Sequence, residues 1–290
     1  MFRWLAGRGA RPSRVAETLT RISPSAWQGA RGSLAFLNGL DEREDEALRA
    51  RAAWLLASKS FSGAAGMALD DDIMLSIAIQ AALPILELDP VLYEGWTEII
   101  VYPGGFVIPR TEVDDSGVVH EYIQEAAGEA WDGGPVILSW EDSCPGVPQT
   151  ANVVIHEFAH KLDLYGGEAD GMPILDAHPQ LRPRQWRRIL ASTFECFEQM
   201  VTEVEDAIPH YVDPESEEAD PWYGSLPLDP YAATDTAEFF AVSSEAFFVD
   251  PWPLAQAFPD WYGLLQAYYR QDPLRRLMGR GWRKGSDPAL

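Results

Sequence analysis

Residues 152–163 read Asn152-Val153-Val154-Ile155-His156-Glu157-Phe158-Ala159-His160-Lys161-Leu162-Asp163, and the H-E-x-x-H pattern at 156–160 decides how the rest of the chain is read. On an α-helix, positions i and i+4 lie about 40° apart on one face, so His156 and His160 can reach one ion. Glu157 then stands beside the ion, where a general base for an activated water belongs. Thr150 or Asn152 can cap the start of such a helix. Val153, Val154, Ile155, Phe158, Ala159 and Leu162 supply its apolar faces, and Gly166-Gly167 ends it. The bland alternative is a helix whose two imidazoles merely hydrogen-bond in the core. It is disfavoured because a buried helix face rarely needs two imidazoles and a carboxylate together.

The composition narrows the function classes. With 47% hydrophobic residues and 11 Trp, 12 Phe and 10 Tyr, the 290-residue chain can build a large core. The formal charge is −23. That balance repels phosphate backbones and anionic lipid, so neither a nucleic acid nor a membrane is expected as partner. Cys144 and Cys196 form no C-x-x-C pair, which excludes a disulfide framework and a four-cysteine zinc site. The first fourteen residues carry four Arg but no following apolar run, and the apolar stretch 73–88 is interrupted by Gln80 and Pro84. A reduced, cytoplasmic protein is the expectation.

The chain divides into a loose basic arm at 1–30 and a single catalytic domain at 31–280. Helices are predicted at 41–59 and 70–86, completing a helical part at 31–95. A sheet part at 96–145 carries strand-like runs at 97–102, 106–108, 118–123 and 136–140. Metal-site helices occupy 148–280, at 184–201, 236–249 and 260–278 beside the motif helix. Strands followed by helices, without βαβ alternation, predict an α+β fold with a small mixed or antiparallel sheet and a predominantly helical body. The acid-rich stretch 203–227 reads as a solvated loop insertion. The basic residues Arg270, Arg275, Arg276, Arg280, Arg283 and Lys284 read as an intramolecular partner for an acidic face.

A catalytic zinc takes three protein ligands and keeps a fourth position for water. The metzincin spacing is excluded, because Asp163 and Gly166 stand where that class needs glycine and a third ligand. His178 and His210 lie in Pro-flanked segments and are weak candidates. Asp163 reads as orienting a neighbouring group or closing the helix end. Glu238 and Glu245 lie two turns apart on the helix 236–249, among Phe239, Phe240, Phe247 and Phe248. A carboxylate in such surroundings is costly unless a dication neutralises it. Glu238 is the better ligand candidate, with Glu245 accepting from a His ring N–H; the alternative for both is an exposed helix stripe.

HEFAHKLD at 156–163 and DPYAATDTAEFFAVSSEAFF at 229–248 together resemble the Mlc titration factor A family of bacterial zinc peptidases. The family is similar around its site to the catalytic domain of anthrax lethal factor. The likeness extends through K-x-F-x-G-A-x-G at 59–66, EGWTEIIVYPGGF at 94–106 and GPVILSW at 134–140, and covers about residues 35–275. It implies a zincin-like fold with a gluzincin-type site holding one Zn²⁺ per chain. His156, His160 and Glu238 would be its ligands and Glu157 its catalytic acid–base. The family's tyrosine falls on Tyr231, which would stabilise the oxyanion; without the resemblance it reads as a loop aromatic packing on Trp222 or Tyr223. The resemblance also implies aminopeptidase activity on peptides. The strand residues Val136, Ile137, Leu138 and Ser139 could bind an extended peptide by β-augmentation, or form an ordinary core strand. The competing function is a regulatory protein that sequesters a transcriptional repressor, the property from which the family takes its name. A purely structural metal site is the third.

Overall fold

The computed structural model describes residues 11–113, 119–145, 151–214 and 216–279. Two helices open it, α1 (Pro12–Arg21) and α2 (Pro24–Gly32). Ser23 caps α2 by accepting the N–H of Ala26, and Val15, Ile22 and Trp27 are buried in the main core. Trp27 also donates its indole N–H to Asp45 at 3.0 Å. The segment expected to be a loose arm is therefore folded from Pro12 onward, because a Pro-initiated amphipathic helix with one apolar stripe has a core to dock on. Residues 1–10 of that arm lie outside the described residues.

Helix α3 (Glu42–Ser58) begins with a reciprocal capping box. Asp41 accepts from the Glu44 N–H at 2.8 Å, and Glu44 accepts from the Asp41 N–H at 2.9 Å. Strand β1 (Ser60–Gly63) follows, and α4 (Asp71–Ala82) is capped by Asp70. The predicted second helix runs to 86. It stops four residues short: Leu83 is still in the helical conformation, but Pro84 offers no N–H to continue the ladder.

The main sheet is mixed, with strand order β1–β2–β6–β5. Strands β2 (Glu98–Tyr102) and β6 (Val136–Ser139) run parallel to β1, and β5 (Gly128–Ala130) is antiparallel to β6. Strands β3 (Phe106–Val113) and β4 (Val119–Ala126) form a separate antiparallel ribbon that leads directly into β5. Val118, the expected first residue of that strand, lies outside the described residues. The short strands β1 and β5 escape pattern reading, since three or four residues carry too little alternation to register. Strand β6 carries partners on both edges, β2 and β5, and its Val136, Leu138 and Ser139 are buried. The expectation that residues 136–139 bind a peptide by added pairing is thus corrected: their ladder positions are filled, and the cleft-side edge of the sheet belongs to β5.

The one-turn helix α5 (Trp140–Ser143) leads toward the motif helix α6 (Val153–Leu164). The long α7 (Pro183–Ala207) continues six residues past its expected end, and α8 (Asp220–Tyr223) follows. Part of the acidic stretch 203–227 is therefore helix, and Ile208, Val212 and Ala219 pack under Trp222 and Tyr223 in a small core of their own. The described acidic side chains of 203–220 face solvent while interleaved apolar ones fold inward, which a count of charges cannot reveal. Helices α9 (Thr236–Val249), α10 (Pro251–Ala257), α11 (Pro259–Tyr269) and α12 (Pro273–Met278) complete the body. The expected single helix at 260–278 is two, because Arg270 turns left-handed and Pro273 starts anew under an Asp272 cap. Of the basic C-terminal residues, Arg276 faces Glu44 at 3.9 Å and Arg270 donates to the carbonyl of Ala177. These partners lie outside the acidic stretch; Arg280, Arg283 and Lys284 lie outside the described residues.

The architecture is α+β with a predominantly helical body. Its core joins both layers: Phe158 of α6 meets Tyr93 and Trp96 edge-on, at 5.1 and 5.6 Å between ring centres. On α9, Phe240 packs against Trp186 and Tyr268. Each such fully buried ring contributes about 1.5–3 kcal/mol to anchoring its helix in the core, and α6 and α9 also pack directly on one another. None of the helices among the described residues is long and apolar enough to cross a membrane.

Candidate metal centre

Helix α6 starts at a buried polar junction. Asn152 caps it by accepting the N–H of Ile155 at 2.9 Å, while its amide donates to Gln80 of α4 at 2.7 Å. Gln80 in turn donates to the carbonyl of Ser143 at 3.1 Å. The alternative cap, Thr150, lies outside the described residues. Gln80, which reads in the sequence as an interruption of an apolar run, is thus what fixes the entry of the motif helix.

The exit of α6 is fixed by Asp163. Its carboxylate accepts the Gly171 N–H at 2.7 Å, and the Gly171 carbonyl accepts the Trp186 indole N–H at 2.8 Å. Gly171 has φ +77°, and a Cβ there would stand 2.4 Å from the carbonyl oxygen of Thr236. Only glycine allows this approach. The loop after α6 is thereby pressed onto the first residue of α9, so Asp163 helps set the spacing of the two helices that meet at the site. Burial pushes the Asp163 carboxyl up to about 7, while the Gly171 N–H opposes the rise.

On α9, Asp235 accepts the N–H groups of Ala237 and Glu238 at 2.8 and 2.9 Å, placing Glu238 in the first turn. His156 and His160 bring their Nε2 atoms to 3.1 Å of one another, with ring centres 4.8 Å apart and planes inclined at 76°. Oε2 of Glu238 lies 3.1 Å from Nε2 of His156 and 3.2 Å from Nε2 of His160. A tetrahedral zinc with bonds of about 2.0–2.1 Å holds its ligands about 3.3–3.4 Å apart. The three donor atoms fit that pattern to within a few tenths of an ångström. His178 is buried against Tyr268 and His210 meets Tyr211 edge-on, so neither joins the triad.

The surroundings support the triad. Glu245, seven residues and two turns beyond Glu238, places Oε2 3.4 Å from Nδ1 of His156, and its other oxygen accepts the Asn152 N–H. Burial pulls the His156 imidazole down, but its bonds to Glu238 and Glu245 overcome this and hold its pKa well above the ordinary value. Burial likewise pushes Glu238 up, yet the two histidines pull it far below the usual carboxylate range. Both shifts hold a proton on His156 against the carboxylate of Glu238; a metal ion bound there would take the place of that proton, since a histidine ligand is neutral.

Glu157 is only 4% exposed, and its Oε2 has no hydrogen-bond partner. Desolvation raises its pKa, with the two histidines acting in the opposite sense. Tyr231 sits in a short 3₁₀ turn whose start is capped by Asp229, and its ring centre lies 6.3 Å from that of His156. The residue is 45% exposed. Burial of its hydroxyl end, then the charges of Glu238 and Glu157, push the phenol pKa upward, so it stays protonated and able to donate.

These groups line a cleft of about 910 Å³, bounded by β5, α6 and α9. Among the described residues its wall includes Glu129, Glu141, Asp142, Asp229 and Asp235, with no Lys or Arg. The sequence reading missed this wall and the part played by Gly128 and Glu129, because an edge strand of three residues leaves no recognisable pattern.

A family model described as glucose-regulated metallo-peptidase M90 matches residues 8–270. The chain belongs to this family. Mlc titration factor A of Serratia proteamaculans (strain 568) is 38% identical to it over 264 residues, covering 90% of this chain and 91% of that protein. Mlc titration factor A of Pectobacterium atrosepticum is 36% identical over 253 residues, covering 87% and 88% respectively. The protein of the same name from Escherichia coli O9:H4 (strain HS) is 33% identical over the same coverage. The α+β zincin-like architecture expected from the sequence agrees with this membership. M90 membership also implies a metal ion, and the His156–His160–Glu238 cluster is a donor set that can hold one.

Proposed function

We propose that this M90 metallo-peptidase is a zinc-dependent hydrolase of peptide bonds with aminopeptidase-like action. The observation that carries the reading is the triangle of His156, His160 and Glu238 donors at 3.1–3.2 Å, opening on a cleft beside the buried carboxylate of Glu157. One Zn²⁺ per chain would, when bound, polarise a peptide carbonyl and acidify the attacking water. Glu157 takes the proton from that water and returns it to the leaving amine, and the apolar walls around it keep its basicity high. Tyr231 donates a hydrogen bond to the oxygen of the tetrahedral species. Glu245 holds His156 in the tautomer that presents Nε2 to the metal, and Asp163 keeps α6 and α9 in register.

An extended peptide pairs with β5, the short strand at the cleft-side end of the sheet, rather than with β6. The acidic wall, from Glu129 to Asp142, favours a substrate that brings a cationic group, such as a free amino terminus, into the cleft. The two free thiols, Cys144 and Cys196, suit a reducing, cytoplasmic setting.

The names of the relatives favour a second reading, in which the chain binds and sequesters a transcriptional repressor. The discriminating experiment measures the metal content of the purified protein beside hydrolysis of an aminoacyl-anilide panel, with and without chelator, while circular dichroism follows the fold. One zinc per chain, hydrolysis abolished by chelator and an intact fold are expected. Absence of hydrolysis at full zinc content would remove the enzyme reading. Unfolding on chelation would make the metal structural. Capture of the purified repressor by the zinc-free protein would support the second.

A further inference from the structure

We propose that Gly128 is a positioning residue for Glu157: the edge strand omits a side chain there so that the carboxylate of Glu157 can occupy the space. The inference rests on the peptidase reading for its consequence, but on geometry alone for its basis. Gly128 pairs with Leu138, which is fully buried, and antiparallel partners project to the same face of a sheet. The missing side chain would therefore point inward, toward α6. A Cβ at 128 would stand 2.4 Å from Oε1 and 2.7 Å from Cγ of Glu157, and 2.6 Å from Cγ2 of Val153. Contacts under 3.0 Å are essentially never seen for real Cβ atoms.

Backbone conformation does not account for the glycine, since Gly128 is absent from the positive-φ positions. Ala130, next on the same face, carries a methyl group and still lines the cleft. The demand for glycine is local to the one place where the base is housed. Glu157 is thus confined between its own helix and the strand along which a substrate backbone would lie. Oε2 of Glu157 is buried without a hydrogen-bond partner, so packing rather than a hydrogen bond holds that end of the carboxylate in place. A base held in this way needs no reorganisation at the moment of reaction, and misplacement by about 1 Å costs on the order of 10²-fold in rate.

The test compares the natural protein with Gly128→Ala, Glu157→Ala and the double variant. Gly128→Ala should lower kcat roughly 100-fold at unchanged zinc content, with KM within about threefold. In the metal-free proteins, the fall in Tm caused by Gly128→Ala should shrink by at least about half when Glu157 is already Ala, because two of the three colliding atoms, Oε1 and Cγ of Glu157, are gone and only Cγ2 of Val153 remains. A kcat within twofold of the natural protein, a kcat loss accompanied by loss of zinc, or an equal Tm penalty in both backgrounds would each overturn the proposal. Should Gly128→Ala fail to fold, recovery of folding in the double variant supports it and failure to recover overturns it. If the natural protein hydrolyses no peptide, the peptidase reading fails, while the Tm comparison still decides whether Gly128 accommodates Glu157.

Discussion

The carboxylate of Glu245 stands 3.4 Å from Nδ1 of His156, on the opposite side of the ring from the nitrogen that meets Glu238. Two carboxylates from one face of α9 therefore grip one imidazole, the nearer to the cleft as a ligand candidate and the deeper as its support. Replacing Glu245 by Gln keeps an acceptor for the Asn152 N–H but removes the charge behind His156. Zinc affinity should fall about 10–100-fold, read by competition with a chromophoric chelator. An unchanged affinity would show that the ring is oriented by packing alone.

Glu157 and Glu238 should separate cleanly in a metal assay. Glu157→Gln should retain zinc and lose about 10²–10⁴-fold in kcat, the outcome expected if the proposed general base stands outside the proposed ligand set. Glu238→Ala loses the metal itself. Elemental analysis beside single-turnover hydrolysis reads both, and retention of zinc by Glu238→Ala would transfer the third ligand to another residue.

Tyr231 stands beside His156, outside the cluster of possible metal donors, and its proposed role is to stabilise the oxyanion. Tyr231→Phe keeps the ring near His156 and deletes the donor, so kcat should drop about 10²–10³-fold with KM and zinc content little changed. A KM effect alone would assign the ring to substrate binding.

His178 makes acid stability a test of the packing. Its ring is buried against Tyr268, and burial first, then the charge of Arg270, lowers its pKa to about 4. Because the folded-state value lies below the ordinary 6.5, the contribution is present above pH 6.5 and is lost as pH falls toward about 4. Thermal melts of the metal-free protein should show Tm declining through this window. The decline should be shallower in His178→Phe; equal slopes would exclude His178 as a source of the acid sensitivity.

Much of the fold was readable because its signals are local. Asp41 and Glu44 announce α3, Asp235 announces α9, and the spacing of His156 and His160 on one helix turn follows from helical geometry alone. Pro84 and Pro273 mark breaks whose exact consequences depend on the neighbours. Residues 12–30 misled the reading because four arginines in the first fourteen positions outweigh a few apolar residues until a core is present to receive Val15 and Trp27. The stretch 203–227 misled it in the same way, by charge.

What the sequence by itself determined is the chemistry available: two imidazoles, an adjacent carboxylate, and a helix rich in Phe with two acids seven residues apart. Tertiary structure alone decided which acid meets the histidines, that β5 rather than β6 borders the cleft, and that Gly128 makes room for Glu157. Those choices depend on distances between residues tens of positions apart, such as His160 and Glu238, and no local periodicity encodes them. They are fixed by the packing of α6 on α9 and by the pairing order of the sheet, which emerge only when the whole core closes.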